Sequence, residues 1–216
     1  IDRTLTTAFR AVNGAADGGR GRYRDRLGEW QLFEGEVEPD VEEARALLGA
    51  TEGPPDVRGV YFKRLLRQVR KTPAAEASPQ LVAGAPAPER FPVTENGVTF
   101  ELSFAEGYST GLFLDQRDNR RRLLHGHVAA NFPLYGDTVI PQPEVLNCFA
   151  YTCAFSVCAA LGGARATSLD LAINAIAAQT SVRKPMAATV RNSYSPPAIT
   201  CTPKAANTRA VAAAMT

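Results

Sequence analysis

The alternation of hydrophobic and polar residues predicts that the first half of the chain is rich in β-strands. Residues 4–34 are short apolar stretches separated by glycines, a pattern typical of strands and turns. Residues 91–104 alternate around Asn96-Gly97, a dipeptide that tolerates the positive φ angles of a type I′ turn. We therefore expect a β-hairpin at 91–104.

Two other segments of this half follow different patterns. Residues 40–50 predict a short helix, because Asp40 can cap its first turn and Gly49 lies near its end. Residues 72–89 are rich in proline and alanine, and we interpret them as a linker or a long loop.

Residues 57–71 interleave aromatic and aliphatic side chains with six basic ones. Basic and aromatic residues in this arrangement suit contacts with the phosphate backbone of a nucleic acid. The alternative, which we favour, is a strand or helix with a solvated basic face.

A helix is predicted to follow residue 114. Asp115 can cap it, and Leu124, Val128 and Phe132 recur at a spacing that places them on one face. This arrangement leaves four arginines nearer to solvent or to a ligand, namely Arg117, Arg120, Arg121 and Arg122.

The histidines and cysteines do not form a recognisable metal or redox motif. His125 and His127, the only histidines in the chain, are interpreted as surface residues near a helix end. Cys148, Cys153 and Cys158 recur every five residues, which matches neither a zinc site nor a CxxC motif. We interpret them as small buried residues, expect no metal, and infer reduced thiols in the cytoplasm because no secretory signal pattern is present.

Residues 144–170 predict a βαβ unit. A short apolar run at 144–150 indicates a buried parallel strand, a helix follows and ends at Gly162-Gly163, and a second strand ends at Asp170. Small residues in such a turn let backbone N–H groups approach a nucleoside ligand, and the terminal acid can accept hydrogen bonds from ribose hydroxyls. The glycine fingerprint GxGxxG is absent, so a packed unit that binds nothing is the alternative.

Composition and charge add a contrast between the two ends of the chain. Hydrophobic residues make up 45% and charged residues 21%, and we expect no membrane span. The net charge is +2, yet residues 173–216 contain five basic residues and no acidic one, which leaves −3 on residues 1–172. The chain starts at Ile1 rather than Met, and we expect it to be a fragment at that end.

Two segments resemble a known family. "EGYSTGLFLDQRDNRRRLL" and "VLNCFAYTCAFSVCAALGGARATSLDLA" are similar to class I S-adenosylmethionine-dependent methyltransferases related to the bacterial large-subunit ribosomal-RNA cytosine-5 methyltransferases. Weaker similarity upstream, for example in "GVYFK" and "FPVTENGVTFELSFAEG", extends the resemblance over most of residues 6–172. It implies an α/β fold with an N-terminal α+β accessory domain followed by a partial Rossmann-like methyltransferase domain.

The resemblance also implies a set of cofactor-binding residues. A turn against the methionine part of S-adenosylmethionine would consist of Tyr151, Thr152, Cys153 and Ala154. Asp170 would hold the ribose and Leu171 would lie beside the adenine. Asp115 and Arg120 belong to the element that flanks the cofactor cleft in this family, together with Arg117 and Asn119. Many members of the family have glycine where this chain has Ala154. We therefore expect the methyl group of Ala154 to leave less room for the methionine part of the cofactor.

The resemblance ends at residue 172. The domains expected are therefore an accessory, RNA-binding region at 1–104 with the linker at 72–89, the first part of the methyltransferase domain at 105–172, and a divergent basic tail at 173–216. We hypothesise that a wrong reading frame or a misjoined exon encodes the tail; a genuine RNA-binding tail is the alternative.

The expected function is methyl transfer from S-adenosylmethionine to RNA, in particular ribosomal RNA. Cytosine-5 chemistry needs a thiolate that attacks C6 of the base, and none of the cysteines is a convincing nucleophile. The catalytic residue is therefore unknown, and we expect this chain to be incomplete and inactive. The alternative function is a non-catalytic RNA-binding protein that uses the basic 58–71 segment and the tail.

Overall fold

The computed structural model describes residues 1–19, 21–49, 56–66, 71–135, 142–170 and the backbone of 199–203. These residues form two compact units, which divide between Arg121 and Arg122. The predicted boundary at 104/105 lies earlier, because the segment after the hairpin packs with the first unit: Lys63 Nζ donates a hydrogen bond of 3.2 Å to the Tyr108 carbonyl oxygen. The mixed α/β class is as predicted.

A five-stranded sheet is the centre of the first unit. Its strands, in both chain and spatial order, are β1 Ala8–Asn13, β2 Arg22–Leu27, β3 Trp30–Gly35, β4 Gly59–Arg64 and β5 Gln80–Gly84. Only the β3–β4 pair is parallel, and helix α1 (Val41–Ala46) lies in the connection between them. The predictions of strands within 4–34 and of a helix capped by Asp40 are confirmed: the Asp40 side chain accepts a hydrogen bond from the Glu42 amide.

The interpretation of 72–89 as a linker is wrong. A short helix, α2 (Ala74–Ala77), precedes β5, which pairs antiparallel with β4. Ala83 of β5 is buried in a core that also contains Phe33 and Val60. Proline and alanine dominate the composition, but the few apolar residues of β5 suffice for an edge strand because its neighbour supplies the hydrogen bonds and the packing.

Strand β4 explains the basic and aromatic segment at 57–71. It lies between β3 and β5, so both of its edges are paired, and Tyr61, Phe62 and Lys63 are buried. The interpretation of these three residues as a nucleic-acid surface is therefore wrong. Of the described residues of this segment, Arg58, Arg64 and Lys71 are exposed, and residues 67–70 lie outside the described part of the chain.

A cluster of charged side chains lies on one face of this sheet. Arg10 donates two hydrogen bonds to the Asp25 carboxylate, at 2.7 and 2.9 Å, and a further one to Glu34. Lys63 forms an ion pair with Glu34, and its Nζ lies 4.5 Å from the centre of the Tyr108 ring. Burial raises the pKa of the Asp25 carboxyl, and the Arg10 and Lys63 charges oppose that rise.

The predicted hairpin is confirmed. Strands β6 (Phe91–Glu95) and β7 (Val98–Leu102) pair antiparallel, and Asn96 and Gly97 have φ angles of 51° and 79°. Both angles lie in the left-handed region that a type I′ turn requires.

The helix predicted after residue 114 is shorter than expected. Asp115 lies inside a 3₁₀ turn, Leu114–Gln116, which leads into helix α3 (Arg117–His125). Gly126 ends the helix with a φ of 69°. Two short strands follow, β8 (His127–Ala129) and β9 (Phe132–Pro133), so the expected helical face of Leu124, Val128 and Phe132 does not exist.

The second unit contains the predicted βαβ arrangement. Strand β10 (Glu144–Cys148), helix α4 (Ala154–Leu161) and strand β11 (Arg165–Asp170) follow in order, and the two strands are parallel. The prediction that β10 is a buried strand is wrong, because α4 packs on one of its faces while Leu146 on the other is 61% exposed.

A third strand, β12 (Ile199–Pro203), pairs parallel with β11. It lies in the segment that we expected to be a divergent tail, so part of this segment extends the sheet. The rest of 173–216 lies outside the described residues. No described helix is both long and apolar enough to cross a bilayer.

Candidate functional site

The turn between β10 and α4 has an unusual backbone. Phe149, Tyr151 and Cys153 have φ angles of 63°, 48° and 59°, so every second residue is left-handed although none is glycine. Such conformations are unfavourable for residues with a Cβ atom and persist only where the surrounding structure holds them. Local strain of this kind is concentrated at functional sites in proteins.

Strand β11 holds the turn from one side. The Tyr151 amide donates a hydrogen bond of 2.5 Å to Asp170 Oδ2, and the Ala150 amide donates one of 3.0 Å to the Leu169 carbonyl oxygen. Within the turn, the Cys153 amide bonds to the Ala150 carbonyl oxygen at 2.7 Å. The structure therefore places Asp170 in direct contact with the turn that contains Tyr151, Thr152, Cys153 and Ala154.

The remaining turn residues point their side chains into the protein. Thr152, Cys153 and Ala154 are buried, and Cys153 precedes the first residue of α4. The N-terminal end of a helix carries a partial positive charge. This turn can therefore offer a ligand backbone groups and a favourable potential rather than reactive side chains.

The cysteines and histidines are distributed as follows. Cys153 and Cys158 are buried, as predicted, whereas Cys148 is exposed because it lies on the uncovered face of β10. These three cysteines form no disulfide, and the described residues contain no group of histidines, cysteines or acids that could hold a metal ion. His125 and His127 are both exposed, which confirms their prediction as surface residues.

Two features of the site were missed by the sequence analysis. Phe149 is 82% exposed at the turn, although its apolar character indicated a buried residue. Beneath the turn, Asn147, Ser156 and Ser168 form a hydrogen-bonded network, with distances of 2.9 Å from Asn147 Nδ2 to Ser156 Oγ and 2.6 Å between the serine hydroxyls. The one signal in the sequence that could have indicated this network is the presence of polar residues at strand and helix positions that face the core.

The prediction that Arg120 lies near solvent is wrong, because its side chain is buried. Its guanidinium donates hydrogen bonds to both oxygens of Glu95, each at 2.7 Å, and one of 2.8 Å to the Phe113 carbonyl oxygen. All of these contacts lie within the first unit. Asp115 accepts a hydrogen bond from Gln116. Leu171, the predicted adenine contact, lies outside the described residues.

The sequence profile of a family described as S-adenosylmethionine-dependent methyltransferases matches residues 31–184. This match includes all of β3 except its first residue, the hairpin, α3 and the whole βαβ unit with its strained turn. The chain belongs to this family, whose cofactor is S-adenosylmethionine.

Individual proteins of known name or structure agree with this assignment. The ribosomal RNA large subunit methyltransferase I of Klebsiella pneumoniae is 31% identical over 177 residues, which are 81% of this chain and 40% of that protein. A solved structure from Streptococcus mutans, assigned to the same methyltransferase class, is 34% identical with a TM-score of 0.58 and covers 81% of this chain and 41% of its own. A methyltransferase structure complexed with SAH has the same identity and TM-score and covers 81% of this chain and 40% of its own. The chain thus spans about two fifths of the relatives that it matches.

Proposed function

We propose that this chain binds S-adenosylmethionine at the β10–α4 turn and contributes to methyl transfer to RNA, in particular ribosomal RNA. The observation that carries the proposal is the 2.5 Å hydrogen bond between the Tyr151 amide and Asp170, which joins the turn to the acid at the end of the next strand. Similarity to a ribosomal RNA methyltransferase supports the class of substrate.

Asp170 is proposed to hold the ribose. A carboxylate can accept about four hydrogen bonds, so the bond from Tyr151 is compatible with further bonds from two ribose hydroxyls. Because the acid and the turn are held together, a nucleoside bound by Asp170 would lie beside the backbone of Tyr151 and Thr152. Leu171, the next residue, is proposed to lie against the adenine.

The turn is proposed to bind the methionine part of the cofactor. Tyr151, Thr152, Cys153 and Ala154 would contact it mainly through backbone groups, since the last three side chains are buried. When bound, the cofactor supplies an electrophilic methyl group. The resemblance alone is the basis for proposing Asp115 and Arg120 as cofactor-binding residues; within the first unit, Arg120 donates a hydrogen bond to the Phe113 carbonyl oxygen, close in sequence to Asp115.

No described residue is assigned as the catalytic group. Cys153 and Cys158 are buried, and Cys148 lies on the uncovered face of the sheet. Cytosine C5 as the methyl acceptor, which the resemblance implies, stays a prediction. Ribosomal RNA as the substrate and the absence of disulfides among Cys148, Cys153 and Cys158 are both consistent with a cytoplasmic protein.

Calorimetric titration with S-adenosylmethionine tests the cofactor site. We expect the wild-type chain to bind and Asp170→Asn, which keeps the shape but removes the charge, to bind at least about tenfold more weakly. Glu144→Gln is the matched control, because Glu144 is an exposed acid at the opposite end of the same parallel pair. Equal affinity of wild type and Asp170→Asn would contradict the ribose role.

Transfer of a labelled methyl group tests the substrate class. Total ribosomal RNA and total transfer RNA are each incubated with the chain and labelled S-adenosylmethionine. Incorporation into ribosomal RNA that Asp170→Asn abolishes supports ribosomal RNA as the substrate and would overturn the expectation that this chain is inactive, whereas incorporation into transfer RNA alone would contradict ribosomal RNA as the substrate.

A further inference from the structure

The network beneath the turn connects three different elements. Asn147 lies on β10, Ser156 lies in the first turn of α4, and Ser168 lies on β11. Asn147 and Ser168 are direct neighbours across the parallel pair, and Ser156 bonds to both of them. One hydroxyl therefore connects the helix to both strands at once.

The position of the network relates it to the strained turn. Asn147 is the second residue before Phe149, and Ser168 is the second residue before Asp170. Ser156 is the third residue after Cys153, the last left-handed residue. All three network residues thus lie within three positions of the turn or of Asp170, on the elements that lead into and out of the proposed cofactor site.

Burial separates the two serines from any direct contact with a ligand. Ser156 and Ser168 are fully buried, and Asn147 directs its amide nitrogen toward Ser156. The buried hydroxyls bond to each other at 2.6 Å, a short distance that leaves little freedom to the two backbones. A small change in their separation would be transmitted to the turn and to Asp170.

We propose that Asn147, Ser156 and Ser168 are positioning residues that hold the turn in its left-handed conformation and keep the Tyr151 amide on Asp170. This inference deepens the proposed function and rests on it, because the consequence is cofactor affinity. Three left-handed residues with side chains need support from the surrounding structure, and the network supplies it from below.

The test compares Ser168→Ala with Val145→Ala in the full chain. Val145 lies on β10 and packs against Ala159, Ala164 and Ala166, so its truncation destabilises the same unit without altering the network. Asn147→Ala is a second and milder network variant, because Asn147 is only half-buried. Melting temperature, amide hydrogen exchange and the Kd for S-adenosylmethionine are measured for each variant.

We expect all three variants to lower the melting temperature, but only the network variants to accelerate exchange of the Tyr151 and Cys153 amides. Only these variants should also weaken cofactor binding, by about tenfold, as expected for the loss of a well-placed hydrogen bond. Exchange rates and Kd values of the network variants that equal those of Val145→Ala would overturn the inference. A wild-type chain that binds no cofactor would overturn the proposed function instead, and the exchange rates alone would then decide whether the network holds the turn.

Discussion

Arg120 and Glu95 form an ion pair that is almost completely shielded from water. Two hydrogen bonds of 2.7 Å join the guanidinium to the carboxylate, and each side chain is only 1% exposed. Glu95 is the last residue of β6, next to the hairpin turn, whereas Arg120 belongs to α3. The pair therefore fixes the start of α3 against the hairpin.

Removing one member of this pair should be strongly destabilising. Glu95→Gln or Arg120→Met leaves a buried charge without its partner, and we expect a loss of about 3–5 kcal/mol in the free energy of unfolding. The double variant should be more stable than the sum of the two losses predicts, because it leaves neither charge uncompensated. Urea unfolding of the four proteins measures this, and single-variant losses below about 0.5 kcal/mol, the level of an exposed pair, would contradict it.

The left-handed conformation of Cys153 can be tested against a second buried cysteine. Cys153→Gly removes an unfavourable contact of about 1–2 kcal/mol, whereas Cys158→Gly places glycine inside α4 at a cost of about 1 kcal/mol. Both variants lose a similar buried thiol. We therefore expect Cys158→Gly to be less stable than Cys153→Gly by about 2 kcal/mol in urea unfolding, and equal stabilities would refute the strain at Cys153.

Replacing Lys63 by methionine should destabilise the first unit by an amount that depends on pH. Burial raises the pKa of Asp25 and the Lys63 charge lowers it, so Lys63→Met should raise this pKa further. A carboxyl whose folded pKa is raised stabilises the protein below its unfolded value, and this contribution is lost as the pH rises through the folded pKa.

The loss of stability in Lys63→Met should therefore be smaller at pH 4 than at pH 7, as measured by urea unfolding at the two values. Arg58→Met, at an exposed position of the same strand region, is the control and should show a much smaller difference, because its ion pair with Glu29 is exposed. A loss that is equal at the two pH values would contradict the role of Lys63.

Gly84 tests whether β5 is an integral strand. A Cβ atom at this position would lie against the Arg58 carbonyl oxygen and 3.0 Å from Gly59 Cα, and the φ angle is 85°. Gly49 has a similar φ of 73° with nothing within 4 Å, so Gly49→Ala isolates the backbone effect. We expect Gly84→Ala to cost about 1–3 kcal/mol more than Gly49→Ala in thermal or urea unfolding. Equal costs would mean that β5 does not pack closely on β4.

The features that the sequence predicted are those encoded by neighbouring residues. Asn96-Gly97 identifies its hairpin because the turn is local, and the strand that ends at Asp170 could be predicted because it directly follows its strand and helix in the chain. The burial of Arg120 depends on Glu95, which is 25 residues away and is not indicated by any periodicity. Strand β5 was missed for a similar reason, since its stability depends on β4 rather than on its own propensity.

The alternation of backbone conformation in the β10–α4 turn restricts which residues can replace its members. Positions 149, 151 and 153 are left-handed, whereas 150 and 152 are not. Valine, isoleucine and threonine are poorly compatible with the first three positions whatever their chemistry, while Thr152 shows that a β-branched residue is accepted between them. Saturation mutagenesis of this turn should therefore give a tolerance profile with a period of two residues. The left-handed backbone at every second position would restrict the allowed residues even in the absence of a ligand.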